Sequence, residues 1–253
     1  MAKELKSVAK TTETSLQVVD ALRDTDGLTI DELSEHLGLA PSTVHRHLAT
    51  LKKHGYVVRD GDVYALGLQF LTIGGQIQRR VTDYPMIKEK VDALADETGE
   101  RAQFMVEENG QRVYLYTEVG QSAVQTGAHV GKRGAIHTSA AGKAILAAYD
   151  RDRVEAIIDA RGLDADHDAI ATREELFEEL DRIRDRGYAF NRQETTAGVH
   201  AVGAPVTAGG EVIGALSVSG PANRITGDRF TESLPERILG AVNELELHIE
   251  HSV

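Results

Sequence analysis

Residues 29–66 constrain the fold of this chain more than any other stretch, because helix and turn signals follow one another there in a fixed order. Thr29 and Glu32 have the spacing of a capping box, so the pattern predicts a helix that begins just after Thr29. Gly38 suits the left-handed conformation that ends such a helix, and Pro41 suits the first turn of another. The sequence therefore predicts two short helices joined by a tight turn.

The second helix of this pair is predicted to span residues 41–53 and to have one apolar and one polar face. Val44, Leu48 and Leu51 recur at helical spacing and share the apolar face. An α-helix fits the major groove of DNA, where arginine pairs with guanine and hydroxyl groups bond to phosphates or bases. The predicted DNA-binding residues are Ser42, Thr43, His45, Arg46, His47, Thr50 and Arg59. Arg46 is the strongest candidate for a base contact.

A hairpin is predicted directly after these helices. Residues 56–59 and 63–66 are rich in strand-forming side chains, and they flank Asp60, Gly61 and Asp62, which form a strong hairpin signal. Such a hairpin would be the wing of a winged helix-turn-helix. The alternative is a small packing module that binds nothing, since many helical hairpins have no nucleic-acid partner.

The charge distribution is compatible with DNA binding even though the net charge is −12. Residues 1–80 contain ten Lys and Arg and ten Asp and Glu, so the acidic excess lies in the rest of the chain. Arg46, Lys52, Lys53 and Arg59 lie close together in the sequence around the proposed DNA-binding face. A locally basic surface of this kind can bind DNA despite an acidic remainder.

The overall composition indicates a soluble, cytoplasmic protein. The chain has no Cys, no signal-like start and no apolar run long enough to span a membrane. Nine Lys and nineteen Arg beside forty acidic residues would suit the very salty cytoplasm of a halophilic archaeon. An ordinary acidic regulator is the alternative explanation.

No metal, cofactor or catalytic residue is expected. Asp164, Asp166 and Asp168 alternate as at the start of a calcium-binding loop, but Ala169 stands where that loop needs glycine. A solvated acidic loop is predicted instead.

Helices are predicted on both sides of the helix pair and hairpin. Residues 15–23 place Leu16, Val19 and Leu22 at helical spacing, with Val18 beside them, and predict a packing helix. Residues 67–80 are apolar but contain two glycines, and they predict a helical connector. Its apolar side packs either within the chain or against a second copy, and a two-fold dimer would place two recognition helices about one DNA turn apart.

The remaining sequence predicts helices that flank an antiparallel sheet, which is an α+β sensor domain. Strands 102–107 and 112–118 flank the hairpin signal Asn109-Gly110, and the second strand alternates with period two. Further helices are predicted at residues 85–98, 139–148, 151–159, 173–186 and 231–251, and further strands at residues 188–192, 199–206 and 212–219.

A pocket for an anion or polyol is predicted in this domain. Free amides at the start of the helix that follows Ser139 favour a carboxylate. Ser217 and Ser219 lie two apart on one strand and point to the same face. Together they suit a sugar acid or a short carboxylate. The alternative is that these residues only cap and turn the chain. The segment 139–144 lacks the glycine and hydroxyl positions of a phosphate loop, so nucleotide hydrolysis is not implied.

The chain resembles the IclR family of transcription regulators over residues 15–253. The resemblance rests on GLAPSTVHR at residues 38–46 and YALG at residues 64–67, and on HTSAAGKA at residues 137–144. It continues in residues 183–189, 198–199, 204–206 and 215–221.

The resemblance implies a winged helix-turn-helix at residues 1–66, a linker helix at 67–82 that dimerises, and a GAF-like effector-binding domain at 83–253. Partners would be double-stranded operator DNA, a small effector and further copies of the chain, as a homodimer or a dimer of dimers. The implied effector site comprises Gly134, Ala140, Ala141, Asn191, Val199, Ala201, Ser217 and Ser219. An acid often stands where Asn191 is, and a cysteine or other polar residue where Ala201 is. These departures imply a different ligand from the small keto acids of some relatives.

The competing function is a metabolite-binding module, or an enzyme, with an accessory helix-turn-helix used for assembly. Specific DNA binding would separate the two possibilities.

Overall fold

The structure is a computed structural model that describes residues 8–80, 83–124, 127–163 and 170–251. The chain divides into two compact units, Ala2–Thr82 and Asp83–Val253. Asp164, Asp166 and Asp168, which the sequence assigns to a solvated acidic loop, lie outside the described residues.

The described residues of the first unit, 8–80, form four helices and one hairpin. Its elements are α1 (Lys10–Arg23), α2 (Ile30–Leu37), α3 (Pro41–Lys53), β1 (Val57–Asp60), β2 (Val63–Leu66) and α4 (Gln69–Arg80). Its buried core is formed by Val18, Leu22, Leu33, Val44, Leu48, Val57 and Tyr64. This order of helices and hairpin confirms the predicted winged helix-turn-helix.

The predicted boundaries of α2 and α3 are confirmed. The hydroxyl of Thr29 accepts a hydrogen bond from the amide of Glu32, whose carboxylate accepts one from the amide of Thr29 at 2.8 Å. Gly38 has a φ of 63° at the end of α2, and Pro41 occupies the first turn of α3. A capping box and a left-handed glycine are local signals, so the sequence alone was enough to locate them.

The prediction for α1 was wrong in two respects. The helix begins at Lys10 rather than Ser15, and Leu16 is 58% exposed instead of packed. Val18 and Leu22 are the buried residues. They lie four apart and share a face, whereas Leu16 and Leu22 lie six apart, which is not a whole number of helical turns.

The wing forms with a shorter turn than its sequence signal indicates. Asp60 belongs to β1 and pairs with Val63, so the turn contains only Gly61 and Asp62. Gly61 has a φ of 57°, as a two-residue hairpin turn of this kind requires.

The second unit is a six-stranded antiparallel sheet with helices on both faces. The strand order is β5-β4-β3-β8-β7-β6. The strands are β3 (Arg101–Glu108), β4 (Gln111–Val119), β5 (Arg133–Ala135), β6 (Ala189–Arg192), β7 (Val199–Ala208) and β8 (Glu211–Pro221). The helices are α5 (Tyr84–Thr98), α6 (Ala140–Ala148), α7 (Arg151–Arg161), α8 (Arg173–Arg186) and α9 (Leu234–His251). The predicted α+β class is confirmed.

Helix α6 packs directly on the sheet, with α8 against it, while α5 and α9 cover the opposite face. The close approach depends on Gly203 of β7. A Cβ at Gly203 would lie only 2.8 Å from the amide nitrogen of Ala141. The absence of a side chain at Gly203 therefore lets the first turn of α6 lie against the sheet.

The predicted period-two alternation of β4 is interrupted. The register with β3 shifts between Phe104 and Met105, so that Met105 pairs with Tyr114 and Phe104 with Tyr116. Leu115 is the extra residue of this β-bulge. Tyr116 consequently points toward α5, where its hydroxyl donates to Asp92 at 2.8 Å, whereas Tyr114 points to the α6 face.

The end of the chain also differs from the prediction. A π-helical turn, Arg229–Ser233, precedes α9, which begins at Leu234 instead of Thr231. Within the described residues, no helix is both long and apolar enough to cross a membrane. The same ranges contain no cluster of three or more His, Cys, Asp or Glu side chains that could hold a metal ion.

Candidate functional site

The polar face of α3 is the first candidate site. Val44 and Leu48 are fully buried and Leu51 is half-buried, so this helix faces its core as predicted. The opposite face is accessible: Ser42, His45, Arg46 and Thr50 are exposed, and Thr43 and His47 are half-buried.

The side chain of Arg46 is free to reach a partner. Within the described residues its guanidinium makes no hydrogen bond or ion pair, and it borders a surface groove of about 390 Å³ between α1 and α3. His47 is held instead, because its Nδ1 lies 2.8 Å from the hydroxyl of Ser15. The hydroxyl of Thr50 donates to the carbonyl of Arg46 at 3.0 Å. This arrangement favours Arg46 as the base-contacting residue.

Arg59 is engaged inside the wing. Its Nε donates to the carbonyl of Gly61 at 2.7 Å, and its Nη2 lies 2.8 Å from a carboxylate oxygen of Asp62. The guanidinium also lies 5.3 Å from the ring centre of Tyr64. A DNA contact by Arg59 would compete with these contacts, and its role stays a prediction. Lys52 and Lys53 in the last turn of α3 are also positively charged and exposed. Among the described residues, no contact like those of Arg59 would compete with DNA for them.

The second candidate site is a small cavity on the α6 face of the sheet, with a volume of about 50 Å³. A single water molecule needs roughly 10–15 Å³ by this kind of measure, so the cavity is larger than a water site and suits a small ligand. Six of the eight predicted effector-site residues line it, namely Ala140, Asn191, Val199, Ala201, Ser217 and Ser219.

Gly134 and Ala141 do not line the cavity. Ala141 packs against Gly203 of β7. Gly134 lies directly beneath the guanidinium of Arg112, and a Cβ at position 134 would overlap with that group. Gly134 therefore acts indirectly in this structure, by leaving space for Arg112.

The start of α6 supplies backbone donors to the cavity. Ser139 is the N-cap and accepts a hydrogen bond from the amide of Gly142 at 3.0 Å, and the amide of Lys143 donates to the carbonyl of Ser139. Among the described residues, the amides of Ala140 and Ala141 have no acceptor. Of these two residues Ala140 lines the cavity, and its free amide at the positive end of the helix dipole favours an anion there.

The two serines of β8 differ in their hydrogen bonds. Ser217 donates to the carbonyl of Val202 at 2.8 Å, so its hydroxyl proton is committed to the sheet. The side-chain amide of Gln103 lies 3.4 Å from the hydroxyl of Ser217 and 3.2 Å from that of Ser219. The hydroxyl of Ser219 donates to the side-chain oxygen of Gln103 at 3.4 Å, which is a longer contact, so Ser219 is the more available of the two for a ligand.

Asn191 closes the cavity through a different set of contacts. Its Nδ2 donates to the carbonyl of Thr138 at 2.6 Å and to the hydroxyl of Thr195 at 3.0 Å. The hydroxyl of Thr195 also donates to that carbonyl, at 2.8 Å. Asn191 thus connects β6, the turn before α6 and the β6–β7 loop.

Several cavity residues were missed by the sequence analysis. They are Gln103, Met105, Arg112, Tyr114, Lys132, Thr195 and Thr196. Arg112 is 5% exposed, has no carboxylate partner within the described residues, and has no hydrogen-bond partner at Nε. Burial lowers the pKa of Arg112 below the ordinary value of a guanidinium. The signal in the sequence that could have identified Arg112 is its position as a basic residue inside a predicted strand.

The charge of the cavity lining is opposite to that of the whole chain. Arg112 and Lys132 line it, and none of the Asp and Glu residues that the structure describes does. The net charge of the chain is −12. The cavity is therefore suited to a small anion with hydrogen-bond acceptors.

Sequence comparisons agree with this division into two sites. Residues 11–61 match the IclR helix-turn-helix domain, and residues 84–246 match the bacterial transcriptional regulator IclR C-terminal family. The probable HTH-type transcriptional regulator ArcR of Halobacterium salinarum is 33% identical over 93% of this chain and 92% of its own length. The transcriptional repressor IclR of Escherichia coli is 28% identical over 86% of this chain and 82% of its own length.

Solved structures share the fold. The Thermotoga maritima IclR structure superposes with a TM-score of 0.81 at 21% identity and covers 95% of this chain and 98% of that one. An IclR homologue from Microbacterium hydrocarbonoxydans, complexed with 4-hydroxybenzoate, has a TM-score of 0.81 at 20% identity, over 94% of this chain and 98% of that one. The matching families and relatives are transcriptional regulators and not enzymes, which excludes the enzyme alternative. The chain belongs to the IclR family of transcriptional regulators, with an N-terminal DNA-binding unit and a C-terminal effector-binding domain.

Proposed function

We propose that this regulator binds operator DNA through α3 and that a small carboxylate or sugar acid in the cavity beside α6 changes its operator affinity. The observation that carries the proposal is the cavity lining, in which Arg112, Lys132 and the free amide of Ala140 occur without any acidic side chain among the described residues. Groups of this kind bind carboxylates. The hydroxyl of Ser219 and the side chain of Gln103 add partners for a hydroxyl or carbonyl oxygen.

The 4-hydroxybenzoate complex of the Microbacterium hydrocarbonoxydans homologue supports the class of ligand. That ligand is an aromatic acid. The cavity of about 50 Å³ in the present chain favours a shorter, aliphatic acid.

We also propose that the operator-binding form is a homodimer or a dimer of dimers, with functional segments at residues 1–66, 67–82 and 83–253. Helix α4 supports this proposal. It has no buried residue, and Leu71 and Ile77 are 72% and 55% exposed. Leu68, just before α4, is 80% exposed. Exposed leucine and isoleucine side chains along one segment favour burial against another copy.

The test is operator binding by the full-length protein with and without candidate effectors. DNA from upstream of the gene for this chain and of neighbouring genes serves as the probe, with a shuffled sequence of equal length as the control. We expect specific binding that a short carboxylate or sugar acid changes. Specific binding that no acid alters would overturn the effector assignment. Equal binding to both DNAs at physiological salt would overturn the operator assignment.

We further propose that the protein works in a very salty cytoplasm. Its acidic, lysine-poor composition and its similarity to a Halobacterium salinarum protein support this interpretation. Unfolding measured from dilute buffer to molar KCl tests it. We expect stability to increase with salt, and full stability in dilute buffer would contradict the proposal.

A further inference from the structure

We propose that the effector is a short dicarboxylate, with one carboxylate at the start of α6 and the other on the guanidinium of Arg112. This inference rests on the proposed effector-binding function and deepens it. If the start of α6 were the whole anion site, a ligand with one carboxylate would be enough. The buried guanidinium of Arg112 calls for a second anionic group.

Arg112 is a buried cation without an acidic partner in the described part of the chain. It is 5% exposed, its Nε has no hydrogen-bond partner, and its Nη1 has one long contact, 3.5 Å from the carbonyl of Ala135. Within the described ranges no carboxylate lies within ion-pair distance of its guanidinium. Burying a charge without a partner is costly, and proteins ordinarily pair such groups.

The surroundings of Arg112 keep its guanidinium at the cavity wall. Gly134, opposite Arg112 in the β4–β5 pairing, leaves the space that the guanidinium occupies. The ring centre of Tyr114 lies 5.9 Å away, so the group is also limited on that side. A planar guanidinium with unused donors matches the two oxygens of a carboxylate.

Arg101 is the other buried arginine in the described part of this domain, and its Nε likewise has no hydrogen-bond partner. Arg101, also 5% exposed, is surrounded by oxygen atoms: its guanidinium nitrogens lie 3.3–3.5 Å from the carbonyls of Val124 and Ala128 and the hydroxyl of Thr117. Arg112 has one such oxygen at comparable distance and lines a cavity instead. The missing oxygens are those that a ligand would supply.

The start of α6 supplies a second set of donors to the same cavity. The amides of Ala140 and Ala141 have no acceptor among the described residues, and Ala140 lines the same cavity as Arg112. Lys132 adds a second cation to the lining, with its ammonium 2.9 Å from the carbonyl of Gly127. Two anion-binding groups in a cavity of about 50 Å³ fit a diacid with a short carbon chain.

The experiment compares diacids with their monoamides in the full-length protein. Isothermal titration calorimetry measures the affinities for oxalate, malonate and succinate, and for oxamate, malonamate and succinamate. Each monoamide keeps the shape of its diacid and lacks one charge. We expect at least one diacid to bind at least about tenfold more tightly than its monoamide, because a charge-assisted bidentate contact is lost.

The variant Arg112→Met keeps an unbranched side chain without the charge. We expect it to fold, since an apolar replacement of a buried unpaired charge is tolerated, and to bind the diacid and the monoamide equally weakly. Arg133→Gln is the matched control, because Arg133 is an exposed arginine on the neighbouring strand that pairs with Glu108. It should retain the discrimination. Thermal unfolding of each variant reports whether it is folded.

The outcomes separate this inference from the proposed function. If the wild-type protein binds monoamides as tightly as diacids, the dicarboxylate inference is wrong and carboxylate sensing stands. If discrimination persists in Arg112→Met, Arg112 is not the group that binds the second carboxylate, and the inference is also wrong. If no acid, including a panel of sugar acids, binds the wild-type protein, both the inference and the effector assignment are wrong.

Discussion

The ammonium of Lys143 lies 2.5 Å from a carboxylate oxygen of Glu194, and the two side chains are only 4% and 10% exposed. This ion pair connects the second turn of α6 to the β6–β7 loop. The other oxygen of Glu194 accepts a hydrogen bond from the amide of Arg192 at 3.1 Å. Because Thr195 and Thr196 of the same loop line the effector cavity, the pair holds one wall of the cavity in place.

Removing one partner of this pair should destabilise the effector-binding domain. We expect Lys143→Met or Glu194→Gln each to lower the free energy of unfolding by about 3–5 kcal/mol, because the remaining group stays buried without its partner. The double substitution should cost less than the sum of the two. Urea unfolding of the four proteins measures this double-mutant cycle, and additive losses would show that the two side chains do not interact.

Capping boxes begin α2, with Thr29 and Glu32, and α8, with Thr172 and Glu175, and both should make stability depend on pH in the acid range. The amide and hydroxyl of Thr29 lower the pKa of Glu32, and Thr172 together with the amide of Ala171 lowers the pKa of Glu175. A lowered carboxyl pKa in the folded state stabilises the protein at pH values above the ordinary glutamate pKa of about 4.3, and that stabilisation is lost as pH falls through the lowered pKa.

The double variant Glu32→Gln/Glu175→Gln tests this linkage. Near neutral pH it should be less stable than the wild-type protein. The difference should shrink as pH falls below about 4, where the wild-type carboxylates become protonated as well. Denaturant unfolding from pH 7 to pH 3 measures it. A constant difference over that range would contradict the linkage.

Arg46→Ala should weaken operator binding without unfolding the protein. We expect a loss of about 1–3 kcal/mol, since a base contact is removed from a side chain that is exposed and has no partner in the described structure. Arg23→Ala is the control, because Arg23 is an exposed arginine of the same unit that pairs with Asp20 and Asp24. Fluorescence anisotropy with operator DNA compares them. Unchanged affinity in Arg46→Ala would remove Arg46 from the interface.

The double variant Ser217→Ala/Ser219→Ala should lose the response to the effector and keep operator binding. The single variants should differ. Ser217→Ala removes a buried hydrogen bond to the carbonyl of Val202 and should cost about 1 kcal/mol of stability. Ser219→Ala should mainly weaken effector binding. Titration of the effector against the operator complex measures the response, and a full response in the double variant would exclude both serines from the site.

Leu71→Glu should reduce self-association. Leu71 is 72% exposed in the single chain, and a charge there would be buried in a dimer formed through α4. Gln76→Glu provides the control, because Gln76 is an exposed position of the same helix and the substitution adds the same charge. Sedimentation velocity measures the masses. A dimer that persists in Leu71→Glu would show that α4 is not the interface.

The sequence by itself determined the features whose physical causes are local. The capping boxes at Thr29 and Thr172 and the left-handed glycine Gly38 depend on residues within one turn, so the boundaries of α2, α3 and α8 were predictable. Hydrophobic periodicity likewise predicted the buried residues of α3, since a helix in contact with one core repeats every 3.6 residues.

Only the tertiary structure decided how the effector cavity is formed, because its contacts join residues that are far apart in the chain. The bulge at Leu115 arises from the pairing of β3 with β4, and it turns Tyr116 to the α5 face while Arg112 and Tyr114 stay on the cavity side. Gly134 and Gly203 contribute because they have no side chain. Gly134 leaves room for the guanidinium of Arg112, and Gly203 leaves room for the first turn of α6. Steric space of this kind depends on the packed neighbours, and it is absent from any local pattern of residues.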